Sequence, residues 1–306
     1  MPKLPVFATI GQAMAVFGLH FGKIFKWALI PVLLGGGAVG ATFGLAVWKH
    51  ALGVGWNIWL VPIGVAIIFA VQAGLPLAIR INQLAVLGRV EKAGYMEMIF
   101  SPQSFRYLGY ACIVSAVLVG GILLACVPAG LGVYFTESAG RSGATSVMGI
   151  LVSLALGTAL VVLTMPLNLV FPAVAVESEP SLVRSYNLGV HCKFRLFWSV
   201  SLSAALFVVL TTLVGLVGEH FGMEHNPLIT LILMPVNVAV GLFSWVTSLS
   251  VPAVAYRILT GLPNPQAAPE AGTPPVQCRP VGQPAAPPVD AGPSGPDSPA
   301  APRDDG

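Results

Sequence analysis

Residues 1–260 of this 306-residue chain contain no aspartate; all four copies lie in the last stretch, from Asp290 to Asp305. A Ser-His-Asp triad therefore cannot be assembled within the body of the chain. Charge of either sign is scarce. Asp, Glu, Lys and Arg make up 9% of the residues, against about 25% in ordinary soluble domains. That excludes a soluble globular enzyme, a nucleic-acid binder and a disordered scaffold as descriptions of the main body. Cysteine is also sparse. Cys112 and Cys126 fall in one apolar stretch, about 21 Å apart along a helix, too far to bond. Cys192 and Cys278 fall in segments expected to face the cytoplasm, where thiols stay reduced. There is no Cys-x-x-Cys, no Walker loop and no His-Glu-x-x-His. Glu219-His220 and Glu224-His225 come nearest to a metal cluster, but a five-residue spacing does not put both histidines on one helix face, and the segment reads as a solvated loop. No catalytic, cofactor or metal-binding residue is assigned.

Apolar sequence is abundant. Six windows lack Asp, Glu, Lys, Arg and His: 27–48, 57–79, 108–134, 144–176, 197–218 and 228–256. About 20 apolar residues cross roughly 30 Å of hydrocarbon as a helix, and helices satisfy their own backbone groups where lipid cannot. The fold class expected is all-α: a polytopic membrane protein of six transmembrane helices, with 1–26 as an interfacial segment, 27–260 as the membrane domain and 261–306 as a tail.

Basic residues set the orientation. Lys3, Lys23, Lys26, Arg80, Arg89, Lys92, Arg106, Arg184, Lys193, Arg195 and Arg257 flank one side of the spans, and only Lys49 and Arg141 the other. The positive-inside rule then places both termini in the cytoplasm, in the inner membrane of a bacterium. Residues 4–22 do not read as a secretory signal, because Lys23 and Lys26 stand where a small-residue cleavage site belongs. Instead Phe7, Ile10, Met14, Phe17, Phe21, Ile24 and Phe25 recur at helical spacing opposite Thr9, Gln12, His20 and Lys23, an amphipathic helix for the cytoplasmic membrane surface.

The pattern repeats. Phe25-Lys26-Trp27, Phe105-Arg106-Tyr107 and Phe194-Arg195-Leu196 each precede an odd-numbered span. Met165-Pro166-Leu167-Asn168 is echoed by Met234-Pro235-Val236-Asn237, and Phe171-Pro172-Ala173-Val174-Ala175 by Val251-Pro252-Ala253-Val254-Ala255. Three units are expected, each a cytoplasmic amphipathic segment followed by a hairpin of two spans. In the third unit, Glu177 and Glu179, then Arg184-Ser185-Tyr186-Asn187-Leu188, then Lys193-Phe194-Arg195-Leu196-Phe197-Trp198 form a pattern that resembles one found in bacterial multi-span proteins, including the membrane domain attached to some glycerophosphodiester phosphodiesterases. The resemblance covers about 25 residues closely and implies the membrane part alone.

Gly36, Gly40 and Gly44 form a small-residue ridge in the first span, and Gly149, Ser153 and Gly157 another in the fourth. Both suit close helix packing, within the chain or, for the first ridge, in a homo-oligomer. Prolines punctuate the even spans, and the long 144–176 window is expected to kink at Pro166.

Two functions are weighed. One is a non-catalytic integral membrane protein, scaffolding or lipid-associated, with Lys23, Lys26, Arg184 and Arg195 as headgroup contacts. The alternative is a transporter or channel for a neutral or amphiphilic solute, with Gln72, Asn168 and Asn237 as polar midplane contacts beside the proline breaks. A membrane enzyme would need carboxylates converging at an interface, for which Glu91, Glu97, Glu177 and Glu179 are the inner-side candidates. The tail, with 13 of the 26 prolines, is expected to be disordered.

Overall fold

A computed structural model describes residues 4–51, 55–91, 93–139, 144–177, 179–220 and 227–265. The tail from residue 266 onward, Glu224, His225 and Arg141 lie outside the described residues. The described chain is helical, with no strand. Its elements are α1 (Val6–Pro31), a π-helical turn (Val32–Gly36), α2 (Gly37–Ala51), α3 (Leu60–Leu87) after a 3-10 turn at Trp56–Trp59, α4 (Tyr95–Ile99) and α5 (Pro102–Ala139). Then follow α6 (Ala144–Thr164), a 3-10 segment (Met165–Leu169), α7 (Val170–Val176), α8 (Leu182–Gly189), α9 (Lys193–His220) and α10 (Pro227–Thr260). Six stretches are long and apolar enough to cross a bilayer: Val6–His50, Asn57–Leu87, Pro102–Leu131, Val147–Val176, Leu182–His220 and Pro235–Thr260. They contain the six uncharged windows in full or nearly so, and they make this an all-α, multi-pass membrane protein.

The spans pair as α2 with α3, α5 with α6, and α9 with α10. Each pair is preceded by a further helical segment: the first half of α1, then α4, then α8. The three basic triplets take up the same posture in all three units. Phe25, Phe105 and Phe194 are exposed, Lys26, Arg106 and Arg195 are exposed, and Trp27, Tyr107 and Leu196 turn inward, the last two fully buried. In each unit one aromatic and one cation thus face outward while one side chain anchors in the protein.

The core lies at the basic end. Asn57–Leu87 is 31 residues, about 46 Å as a helix, well beyond a roughly 30 Å hydrocarbon core. Its surplus is the most enclosed part of the protein: every residue from Leu75 to Val86 is buried. Helices α1, α7 and α10 supply the walls, so the polar Arg80, Asn82 and Gln83 of this stretch are buried with the apolar residues and need partners inside the protein. The proline-containing ends of the three even spans thus converge, Leu75–Val86 meeting Leu169–Ala175 and Val251–Arg257. A ring cluster of Phe17, Phe207 and Phe243, with centroids 4.7 Å and 5.0 Å apart, ties α1 to α9 and α10. Gly88, with φ at 67°, ends α3 in the left-handed region that favours glycine and turns the chain toward α4.

The expected kink at Pro166 is present as the 3-10 segment Met165–Leu169. Two details differ from the sequence expectation. From Val6 onward, the segment expected at the membrane surface and the first span run on as one helical stretch, interrupted by non-helical torsions at His20 (φ −120°, ψ 16°). Its inward face is Thr9, Ala13, Val16, Ile24 and Ala28, whereas Phe7, Phe21 and Phe25 of the apolar stripe point outward. With lipid as the solvent, large apolar side chains gain nothing by hiding, so small and polar groups take the protein side. The Gly36, Gly40 and Gly44 ridge also faces away from the rest of the chain: a Cβ on any of them meets nothing within 4 Å. The close approach is made by Gly35 instead, where a Cβ would lie 2.8 Å from Ala70 Cα. The second ridge does pack internally. Ser153 Oγ accepts from the Ala129 amide at 2.9 Å, and Gly157 faces Ala125.

Candidate functional site

The basic end holds a layer of buried polar side chains, most of them spent on backbone carbonyls. The Arg257 guanidinium, 2% exposed, donates to Ala85 O at 2.9 Å and to Gln12 Oε1 at 2.5 Å. Ala85 is in the last turn of α3, whose final carbonyls lack intrahelical partners and attract positive charge. Gln83 donates to Ala175 O at 3.1 Å, and Gln103 reaches Val174 O and Ala175 O at 3.0 Å and 3.1 Å. These bonds close the end of α7 in the same way.

Arg80 makes a second buried cation without a carboxylate. It donates to Ala93 O at 2.7 Å and lies 5.2 Å from the ring centroids of both Trp27 and Tyr95. Ring faces supply the negative potential that a carboxylate would otherwise give. Tyr95, on α4, donates to Ala73 O at 2.9 Å. Burial pushes its hydroxyl above the usual tyrosine range, opposed by the Arg80 charge. Asn82 donates to Ala78 O and to the Tyr107 hydroxyl, while its own side-chain oxygen is buried without a partner.

Two of the four carboxylates named from the sequence, Glu97 and Glu177, are engaged within the chain. Glu97 accepts from the Gly94 amide at 3.1 Å and caps α4. Glu177 accepts from the Tyr256 hydroxyl and pairs with Arg184 at 3.7 Å. Among the described residues no three His, Cys, Asp or Glu side chains gather where a metal could be held.

The structure scatters the midplane candidates. Gln72 is buried and donates to Ile99 O at 2.5 Å, beside the start of α5. Asn168, in the 3-10 segment, is half-buried with its amide 3.6 Å from Met165 Sδ. Asn237 is exposed on α10. Of the headgroup candidates, Lys23 and Lys26 are exposed on α1 beyond the His20 break. Arg195 is exposed and donates to Leu4 O at 3.3 Å. Arg184 is half-buried against Glu177. Sequence reasoning counted Arg80 and Arg257 only as flanking charge. Their position four and five residues beyond Pro76 and Pro252 was the signal that they end the buried part of an even span.

Surface clefts open elsewhere. Two flank α6: one of about 470 Å³ on the α5 side, reaching Phe197, and one of about 600 Å³ ending at Lys193 and Phe194. A third of about 440 Å³ lies along α8, beside Arg184 and Asn187. None is lined by Gln72, Asn168 or Asn237. Comparison with known protein families, curated proteins and solved structures finds no match to this chain.

Proposed function

We propose that the chain is a non-catalytic integral protein of a bacterial inner membrane, lipid-associated and serving as a scaffold. Both termini and the polar core are cytoplasmic, and the basic end rests on anionic headgroups. The observation that carries this reading is the threefold recurrence of one boundary posture, with Lys26, Arg106 and Arg195 exposed beside outward Phe25, Phe105 and Phe194. Cations held at that level attract anionic lipid, each by about 1 kcal/mol. The resemblance to the membrane domain of glycerophosphodiester phosphodiesterases is compatible with such a role. Replacing Lys23, Lys26, Arg184 and Arg195 together by Gln tests it. Lipid mass spectrometry on protein extracted with its surrounding lipid should show anionic phospholipid enriched around the wild type and not around the variant. Equal enrichment would refute the reading.

The alternative, a transporter or channel for a neutral or amphiphilic solute, draws on the 3-10 break at Pro166. It needs a polar path through the spans, and Gln72 is spent on the Ile99 carbonyl while Asn237 points outward. The lipid-associated reading is therefore preferred.

A further inference from the structure

The α5–α6 hairpin meets the other spans mainly at the basic end, and α6 touches α9 only over a short stretch. The two clefts beside α6 result from that divergence. They share Leu154 and Thr158 in their walls, so they lie on either side of one ridge. Lining residues of the larger cleft run from Leu151 to Leu163, a helical rise of roughly 18 Å. Half of a roughly 30 Å hydrocarbon core is about 15 Å. The groove is thus as deep as one leaflet. Its walls are almost wholly apolar until its end, where Lys193 closes it at the first residue of α9, with Nζ 5.8 Å from the Phe194 ring centroid. Among the described residues no carboxylate pairs with Lys193.

We infer that this double cleft is a specific site for one diacyl phospholipid with an anionic headgroup, drawn from the inner leaflet. One acyl chain lies in each cleft, straddling Leu154 and Thr158, and the headgroup phosphate pairs with Lys193. A soluble anion would leave the apolar walls unused, and a neutral lipid would leave the ammonium unpaired. The inference rests on the reading that the basic end faces the anionic leaflet, but places a single bound lipid at residues outside the general headgroup set.

The test is native mass spectrometry of the purified full-length protein, offered phosphatidylglycerol or phosphatidylcholine of the same chain length. The wild type should retain one phosphatidylglycerol in preference to phosphatidylcholine. Lys193→Gln should weaken that retention about fivefold, the effect of one interfacial cation. Thr158→Trp should block retention of either lipid, with circular dichroism and size exclusion reporting the fold. An unmutated readout stands beside these. Cys112 and Cys126 are both exposed, but only Cys126 lines the smaller cleft. Phosphatidylglycerol should slow labelling of Cys126 by N-ethylmaleimide relative to Cys112, and phosphatidylcholine should do so much less. Retention that survives both substitutions, with no protection of Cys126, overturns this site while leaving the broader lipid association standing. No preference for phosphatidylglycerol in the wild type overturns both.

Discussion

The Arg257 guanidinium donates to Gln12 Oε1 at 2.5 Å, joining the end of the sixth span to the first helix across 245 positions of sequence. The same guanidinium closes the Ala85 carbonyl at the end of α3. One buried cation therefore ties together three helices that hydrophobic burial cannot sort, because lipid solvates apolar surface as well as protein does.

Removing either partner of that bond should be costly and coupled. Arg257→Ala strands a buried carbonyl and an amide, and should lower stability by about 1–3 kcal/mol. Gln12→Ala should cost less, since Arg257 keeps Ala85. The double variant should fall short of the summed losses, as expected for residues in contact. Thermal unfolding in detergent checks the cycle, and full additivity would contradict the contact.

Arg80 should not tolerate lysine. Trp27 and Tyr95 hold its guanidinium by their ring faces while it donates to Ala93 O. A flat, weakly hydrated fork suits that slot, and a strongly hydrated ammonium does not. Arg80→Lys should lose about 1–2 kcal/mol, read as a lower unfolding temperature. A variant indistinguishable from wild type would remove the ring contacts from the account.

The number of spans and the break at Pro166 were legible in the sequence, because uncharged run length and proline chemistry act locally; the inward turn of Tyr107 and Leu196 was not. Neither was the inward face of α1. Apolar residues mark the interior only where water is the solvent, and Thr9 and Ala13 carry no such mark. Nor could spacing single out Gly35. The π-helical turn Val32–Gly36 beside Pro31 inserts a wider turn and shifts which glycine meets α3. The roles of buried Gln72 and Gln83 and of half-buried Gln103 depend on carbonyls at the ends of other helices, which no local pattern reveals.

That shift separates two glycines five residues apart. Gly35→Val would drive a side chain into Ala70 and should cost about 1–3 kcal/mol. Gly40→Val meets nothing within 4 Å of its Cβ and should leave unfolding of the monomer unchanged. If a second copy packs on the Gly36, Gly40 and Gly44 ridge, the Gly40 variant should instead lose cross-linked dimer in membranes. Equal destabilisation by both substitutions would contradict the placement of α2 against α3.

The measurement closest to the central claim is the sidedness of the loops. Reporter fusions placed after Gly55 and after Ala93 bracket the second span and α3's buried end. The account predicts that the first reports the outer compartment and the second the cytoplasm. Both reporting the same compartment would contradict a chain that crosses the bilayer six times with its basic core inside.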